Sequence, residues 1–403
     1  MKLSKNKILI IILAIFIIIV GFIVWKIFGN QSFTTLHNKG LEYYNAGNYD
    51  KAIEYYQKAI KLNPDNADTY YNMGLAYKGN YDKEIECFEK TIALNPDDAM
   101  AYYNIGVAYV NKGNYDKAIE CLQKAIELNP NNAESYNDMG VAYFSKNNYD
   151  KAIECYEKAI ELNPNFVESY NNMGIVYKNK GNYDKAIEYY QKAIALNPNC
   201  AEAYNNMGGA YIQKGNYDKT IEYYEKAIKL NINNAETYNN LGIAYYYKNN
   251  YEKAIEYYQK TIDLMPNKTE HYINLGIVYG NNGNYDKAIE CYQKAIDLET
   301  DYAEAYYNMG NMYYFKGNYD KAIECYKKTV ELNPNYVEAY NNMSGAYIQK
   351  GDYDKVIECC EKAIEIKPDF VEAYINIGSV YQNLGNKKKA DYYFQKAKSI
   401  KTN

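Results

Sequence analysis

The fourteen residues "GNYDKAIEYYQKAI" at 181–194 also stand, unchanged, at 47–60, and near-copies recur nine more times. Aligned on "GNYDKAIE", the chain repeats every 34 residues from Phe33 to Asn403. The eleven units begin at residues 33, 67, 99, 133, 167, 201, 235, 269, 303, 337 and 371. The second unit, 67–98, is two residues short and the last is one residue short, so no stretch of 33–403 is left over for a different domain. A period of this length means that each unit is one supersecondary element. Such an element cannot bury its own apolar face and must lean on its neighbours.

The unit 167–200 shows what that element is. Tyr170, Met173, Gly174 and Tyr177 fall at helical spacing in its first half. Ala186, Ile187, Tyr190, Ala193 and Ile194 do so in its second half, and Pro198 stops that helix. Gly181 lies between them, and every unit has Gly or Asn there, with Asn147 and Asn249 as the two Asn cases. Both residue types tolerate a left-handed backbone, so the position predicts a helix-ending turn. Each unit is therefore a helix-turn-helix hairpin, with Gly174 and Ala186 small where the two helices meet.

This pattern resembles the tetratricopeptide repeat. The family's aromatic, large apolar, Gly, Tyr, Ala, aromatic, Ala and Pro fall on Tyr170, Met173, Gly174, Tyr177, Ala186, Tyr190, Ala193 and Pro198. The resemblance implies an all-α fold, a right-handed α-solenoid (superhelix) whose first helices line a concave groove. Departures are few. Ser344 stands for Gly, Ile232 and Thr300 for Pro, and Glu84, Thr220 and Val356 for Ala. The short unit must tighten its inter-helix turn, so a kink or altered pitch is expected there. In the last unit Asp391 and Lys398 occupy positions that hold Ile or Val elsewhere, such as Ile187 and Ile194. Helix 386–401 is thus expected to cap the array with a polar face.

The amino-terminal region reads differently. A basic tail, 1–7, precedes Ile8–Trp25, eighteen residues without a polar side chain. Counted to Phe28, that stretch spans about 30 Å as a helix, the thickness of a bilayer core. The expectation is an uncleaved transmembrane signal-anchor at 8–28 and a short linker at 29–32. The lysines before it predict a cytoplasmic tail, with the repeats on the extracytoplasmic side of a single-pass membrane protein.

Composition excludes several functions. Lysine supplies all 45 basic residues, and the body after residue 32 carries 41 Lys against 50 acidic residues. A net charge of −9 without arginine argues against nucleic acid as a partner. The only histidines, His37 and His271, sit in separate units. With no catalytic or phosphate-loop motif present, the chain is read as a non-enzyme without cofactor or metal. Six of the eight cysteines (Cys87, Cys121, Cys155, Cys291, Cys325 and Cys359) share one repeat position, where other units place Tyr, as at Tyr189. Equivalent residues on stacked hairpins lie about 8–10 Å apart, a helix-packing distance and too far for a disulfide. Free thiols are expected.

The implied groove is the lead to function. Position 6 of the unit is Asn in nine units: Asn72, Asn104, Asn172, Asn206, Asn240, Asn274, Asn308, Asn342 and Asn376, with Asp138 in the remaining one of units two to eleven. An amide donates and accepts at once, so an evenly spaced row of them suits the backbone of an extended peptide. The row resembles the asparagine ladder in the repeat region of O-linked N-acetylglucosamine transferases. Position 2 adds acid, including Glu168, Glu202 and Glu236, which favours basic segments if that stripe reaches the groove and otherwise serves the helix dipole. The chaperone-tail clamp of the family needs Lys and Arg where this chain has Glu. The expected function is a membrane-anchored scaffold that binds extended segments of partner proteins. The alternative is a self-associating assembly platform at the cell envelope.

Overall fold

In the computed structural model, residues 18–20 and 32–401 are described. Twenty-two helices alternate from Phe33–Asn45 to Lys387–Lys401, two per repeat, and no strand occurs among the described residues. The chain divides into two compact units at Pro198/Asn199. Each is an α-solenoid of hairpins. Within each unit a second helix packs on the next first helix, and successive first helices also touch, as Ala133–Ser145 does Val167–Asn179. Among the described residues no two successive second helices approach as closely. The first helices therefore form the inner face of the row in each unit.

The motif "GNYDK" now has an atomic meaning. Gly181 adopts φ 74°, and Asn147 and Asn249 adopt 59° and 56° at the same turn. The next residue caps the second helix: Asn182 Oδ1 accepts from the Lys185 N–H at 3.2 Å. Such a cap is worth about 0.5–2 kcal/mol. The Asp reaches the following repeat, where Lys180 meets Asp150 at 2.7 Å and Lys248 meets Asp218 at 2.8 Å. The motif Lys lies over the Tyr eight residues before it in nine repeats, as Lys185 Nζ does 5.0 Å from the Tyr177 ring. These pairs are exposed and contribute little individually. Their use is to set each hairpin's angle and its placement on the next.

The core of nine hairpins is one aromatic on one glycine, and in the third repeat Leu122 takes the aromatic's place on Gly106. Tyr156 is 1% exposed, and a Cβ added to Gly140 would lie 2.6 Å from its Cε1. The departures from the pattern compensate one another. Ser344 replaces the glycine in the one repeat where Cys360 replaces the aromatic, and Val356 for Ala restores volume; all three are fully buried. In the short repeat the first helix ends at Ala76, and Gly79 donates its N–H to Glu84 Oε1 at 2.6 Å. The acid that replaces Ala thus closes the tightened turn. Where Ile232 replaces Pro, its N–H donates to Ala227 O at 3.0 Å, a helix-closing bond that proline could not make. Asp391 and Lys398 are exposed on the last described helix.

The expected spanning segment 8–28 lies outside the described residues except for Ile18–Val20, which are helical and exposed. The described helices of the repeats run from 10 to 15 residues. At 1.5 Å per residue that is about 15–22 Å, short of a bilayer core. No helix among the described residues is long and apolar enough to cross a membrane. The expectation of a single-pass membrane protein with exported repeats is corrected accordingly.

One side chain breaks the rule of small residues at position 3. His271 stands where Ala203 and Ala305 pack, and both its ring nitrogens are buried without a hydrogen-bond partner among the described residues. Burial lowers its pKa below 6.5. The unfolded chain then takes up the proton first, so the stability linked to neutral His271 is present above pH 6.5 and is lost as pH falls through the folded value. Thermal unfolding should show His271→Ala losing less stability than the parent between pH 7.5 and pH 5.5. An equal loss in both would contradict this.

Candidate functional site

The inner face of each unit is built from positions 5, 6, 9, 12 and 13 of the first helices. The position-6 asparagines are all half-buried. Asn104 Nδ2 donates to Tyr71 Oη at 3.1 Å, Asn172 to Asn137 Oδ1 at 3.1 Å, Asn240 to Tyr224 Oη at 2.9 Å and Asn274 to Asn239 Oδ1 at 3.5 Å. Asn342 donates to Tyr307 Oη and Asn311 Oδ1, both at 3.0 Å. Asn206 and Asn308 occupy the same half-buried position. In these repeats the ladder ties a first helix to the repeat before it. An amide offers two N–H groups and two lone pairs, so one such bond leaves it capacity for a guest. Asp138 joins the same system by accepting from Tyr103 Oη at 2.9 Å. Burial raises the Asp138 pKa, opposed by the Tyr103 and Asn137 hydrogen bonds.

The position-2 acids stand one helical turn before the position-6 asparagines, as Glu168 does before Asn172. Glu168, Glu202 and Glu236 are exposed on the first turns of their helices. Their carboxylates can guide a basic segment by charge, at a strength that salt screens.

A hollow opens on the inner face of the second unit. It encloses about 320 Å³ between Asn311, Tyr314, Phe315, Asn341, Asn342, Gly345 and Asn376. Its floor is an amide network: Asn376 Nδ2 donates to Asn341 Oδ1 at 3.0 Å, and Tyr326 Oη donates to Asn311 Oδ1 at 2.8 Å. Its rim is aromatic, with Phe315 62% exposed. Gly345 makes the room, because a Cβ there would meet only the Tyr314 ring, at 3.8 Å. Position 9 is where sequence reasoning missed the site. It reads Leu41, Leu75, Val107, Val141 and Ile175 in the first five repeats but Asn311, Gly345 and Ser379 in the last three. The first unit has an inner-face hollow of about 440 Å³ at the short repeat, bounded by Leu75, Glu84, Asn104 and Val107. Burial raises the Glu84 pKa there, opposed by the Gly79 N–H.

Burial pushes the thiols of Cys155, Cys291 and Cys325 up to about 12. Among the described residues no three His, Cys, Asp or Glu side chains converge as a metal site would need. The face offers shape, amides and aromatic edges.

Comparison with known proteins agrees with this architecture. Family profiles described as "TPR repeat" match residues 40–80, 77–113, 140–181, 281–314 and 345–385. Profiles described as "Tetratricopeptide repeat" match 199–267, 99–132, 167–200, 303–336, 121–154, 257–290, 325–358 and 371–403. An uncharacterized protein of Methanocaldococcus jannaschii is 45% identical over 42 residues, which is 10% of this chain and 49% of that protein. The chain thus matches about half the length of that curated relative. Among solved structures, the C-terminal part of a TPR repeat-containing protein from Cytophaga hutchinsonii has a TM-score of 0.51 at 24% identity, covering 59% of this chain and 97% of that one. YrrB, described as a TPR protein with an unusual peptide-binding site, gives 0.44 at 28% identity over 46% of this chain and 96% of its own. MamA gives 0.39 at 34% identity over 42% and 92%.

Proposed function

Because the chain belongs to the tetratricopeptide repeat family, we propose that it is a protein-interaction scaffold that holds an extended segment of a partner across the inner face of its first helices. The hollow at Gly345 carries this reading. An extended backbone presents alternating N–H and C=O groups, and Asn311, Asn341, Asn342 and Asn376 offer donors and acceptors at that spot. Phe315 and Tyr314 supply apolar surface for a side chain beside the amides. Seven other repeats carry Leu, Val or Ile at the position of Gly345, and Gly209 is the other glycine there. The acidic body, with Glu304, Glu338 and Glu372 on the helices that flank the hollow, favours a segment bearing lysine or arginine.

The test uses a photoreactive residue at Phe315, compared with one at Lys362, exposed on a second helix. Adducts with a partner protein are expected from position 315, and Gly345→Leu should lower their yield tenfold or more. Leucine already occupies this position at Leu41 and Leu75, so the substitution suits the fold. Equal yields from the two positions, or yields from 315 that ignore Gly345→Leu, would remove the inner-face reading.

A further inference from the structure

The repeat position shared by Cys and Tyr is a second, independent feature. Where it is Tyr, the ring stacks on the Tyr at position 11 of the same repeat. Tyr211 and Tyr223 lie 5.4 Å apart at 3°, and Tyr245 and Tyr257 lie 5.5 Å apart at 5°. The same pair recurs at Tyr43–Tyr55, Tyr177–Tyr189 and Tyr381–Tyr393. A lysine three residues on covers the outer ring, as Lys226 does Tyr223 at 5.1 Å and Lys260 does Tyr257 at 4.9 Å.

In the two repeats that follow, the outer ring is missing. Cys291 and Cys325 take its place, and hollows of about 720 and 680 Å³ open beside them. Each keeps the rest of the receptor. Tyr279 and Tyr313 remain as walls, with Lys287 and Lys321 at 5.3 and 5.1 Å from their rings. Lys294 and Lys328 stand where Lys226 and Lys260 cover a tyrosine. The two hollows adjoin, since Gln293 and Tyr313 line both. The thiols at their floors are 9% and 7% exposed, which leaves them packing roles.

We propose that these adjoining hollows bind two aromatic side chains, tyrosine foremost, from one segment of a partner protein, each ring stacking where the sister repeats stack their own. The chain's other repeats define the occupant: a phenol ring parallel to Tyr279 or Tyr313 and beneath a lysine. Equivalent points on successive repeats are separated by about 8–10 Å, a helix-packing distance. A polyproline II segment advances about 3.1 Å per residue with three residues per turn, so residues three apart share a face at about 9 Å. The segment is therefore read as aromatic-x-x-aromatic. It lies on residues distinct from those around Gly345, so either proposal can fail without the other.

The experiment titrates the peptide acetyl-Tyr-Pro-Pro-Tyr-amide into the full chain by calorimetry, against acetyl-Tyr-Pro-Pro-Ala-amide. The two-tyrosine peptide should bind at least tenfold more tightly. Cys291→Tyr with Cys325→Tyr fills both hollows with the residue found at Tyr223 and Tyr257, and should abolish that preference while the circular dichroism stays native. Cys291→Ala with Cys325→Ala keeps the hollows and should retain it. Equal affinities for the two peptides would overturn the proposal. So would binding that survives the double Tyr variant, or binding lost in the double Ala variant.

Discussion

Tyr156→Ala should destabilise the hairpin 133–162 by about 3–5 kcal/mol, the range for a large buried aromatic cut to alanine. The ring is 1% exposed and is packed with Ala152, Met173 and Val176. It belongs to its own hairpin and also faces the following first helix, so its loss opens a cavity at a joint between repeats. Hydrogen exchange should show faster exchange in 133–179 and little change in the second unit. A variant with parental exchange across 133–179 would mean that the glycine–aromatic contact is not what holds the hairpin. The hydroxyl at this position is a separate matter. Among the described residues Tyr56 Oη is buried without a partner, so Tyr56→Phe, which copies Phe88, should raise stability by about 1 kcal/mol. Tyr224→Phe should not, because it removes the bond from Asn240.

Gly140→Ala should cost about 1–3 kcal/mol through overpacking, since the new methyl meets the Tyr156 ring at 2.6 Å. The tenth repeat shows how the chain itself solves this problem. There Ser344 brings the extra atoms, Cys360 gives up the ring and Val356 returns volume. Transplanting that set as Gly140→Ser, Tyr156→Cys and Ala152→Val should recover most of the loss that Gly140→Ser causes alone. The three residues are in contact, so their effects should be strongly non-additive. If the triple variant melts at or below the temperature of Gly140→Ser, the three positions do not compensate one another.

Much of the architecture was readable because its signals are local. Gly181 and Asn147 sit at a turn that demands a positive φ, and few residue types satisfy that. Asn182 caps the helix that begins at the next residue. Asp391 and Lys398 are exposed where other repeats carry Ile or Val. The asparagine row was legible as a pattern, but its meaning was not. Asn104 and Asn274 reach back 33 and 35 residues to Tyr71 and Asn239, and only stacked helices bring those atoms within 3.5 Å. Gly345 and Ser344 are adjacent in sequence yet have opposite consequences, one opening a surface and the other filling a core.

The linear order of residues decided the period, the hairpins, their turns and the polar final helix, because each depends on backbone conformations and apolar spacings within one unit. The partners of each side chain were decided by stacking. Whether a cysteine ends in a filled seam or beside an open hollow depends on the rings and lysines that neighbouring helices place around it. Whether an asparagine is a receptor or a tie between repeats likewise depends on atoms supplied by the repeat before it.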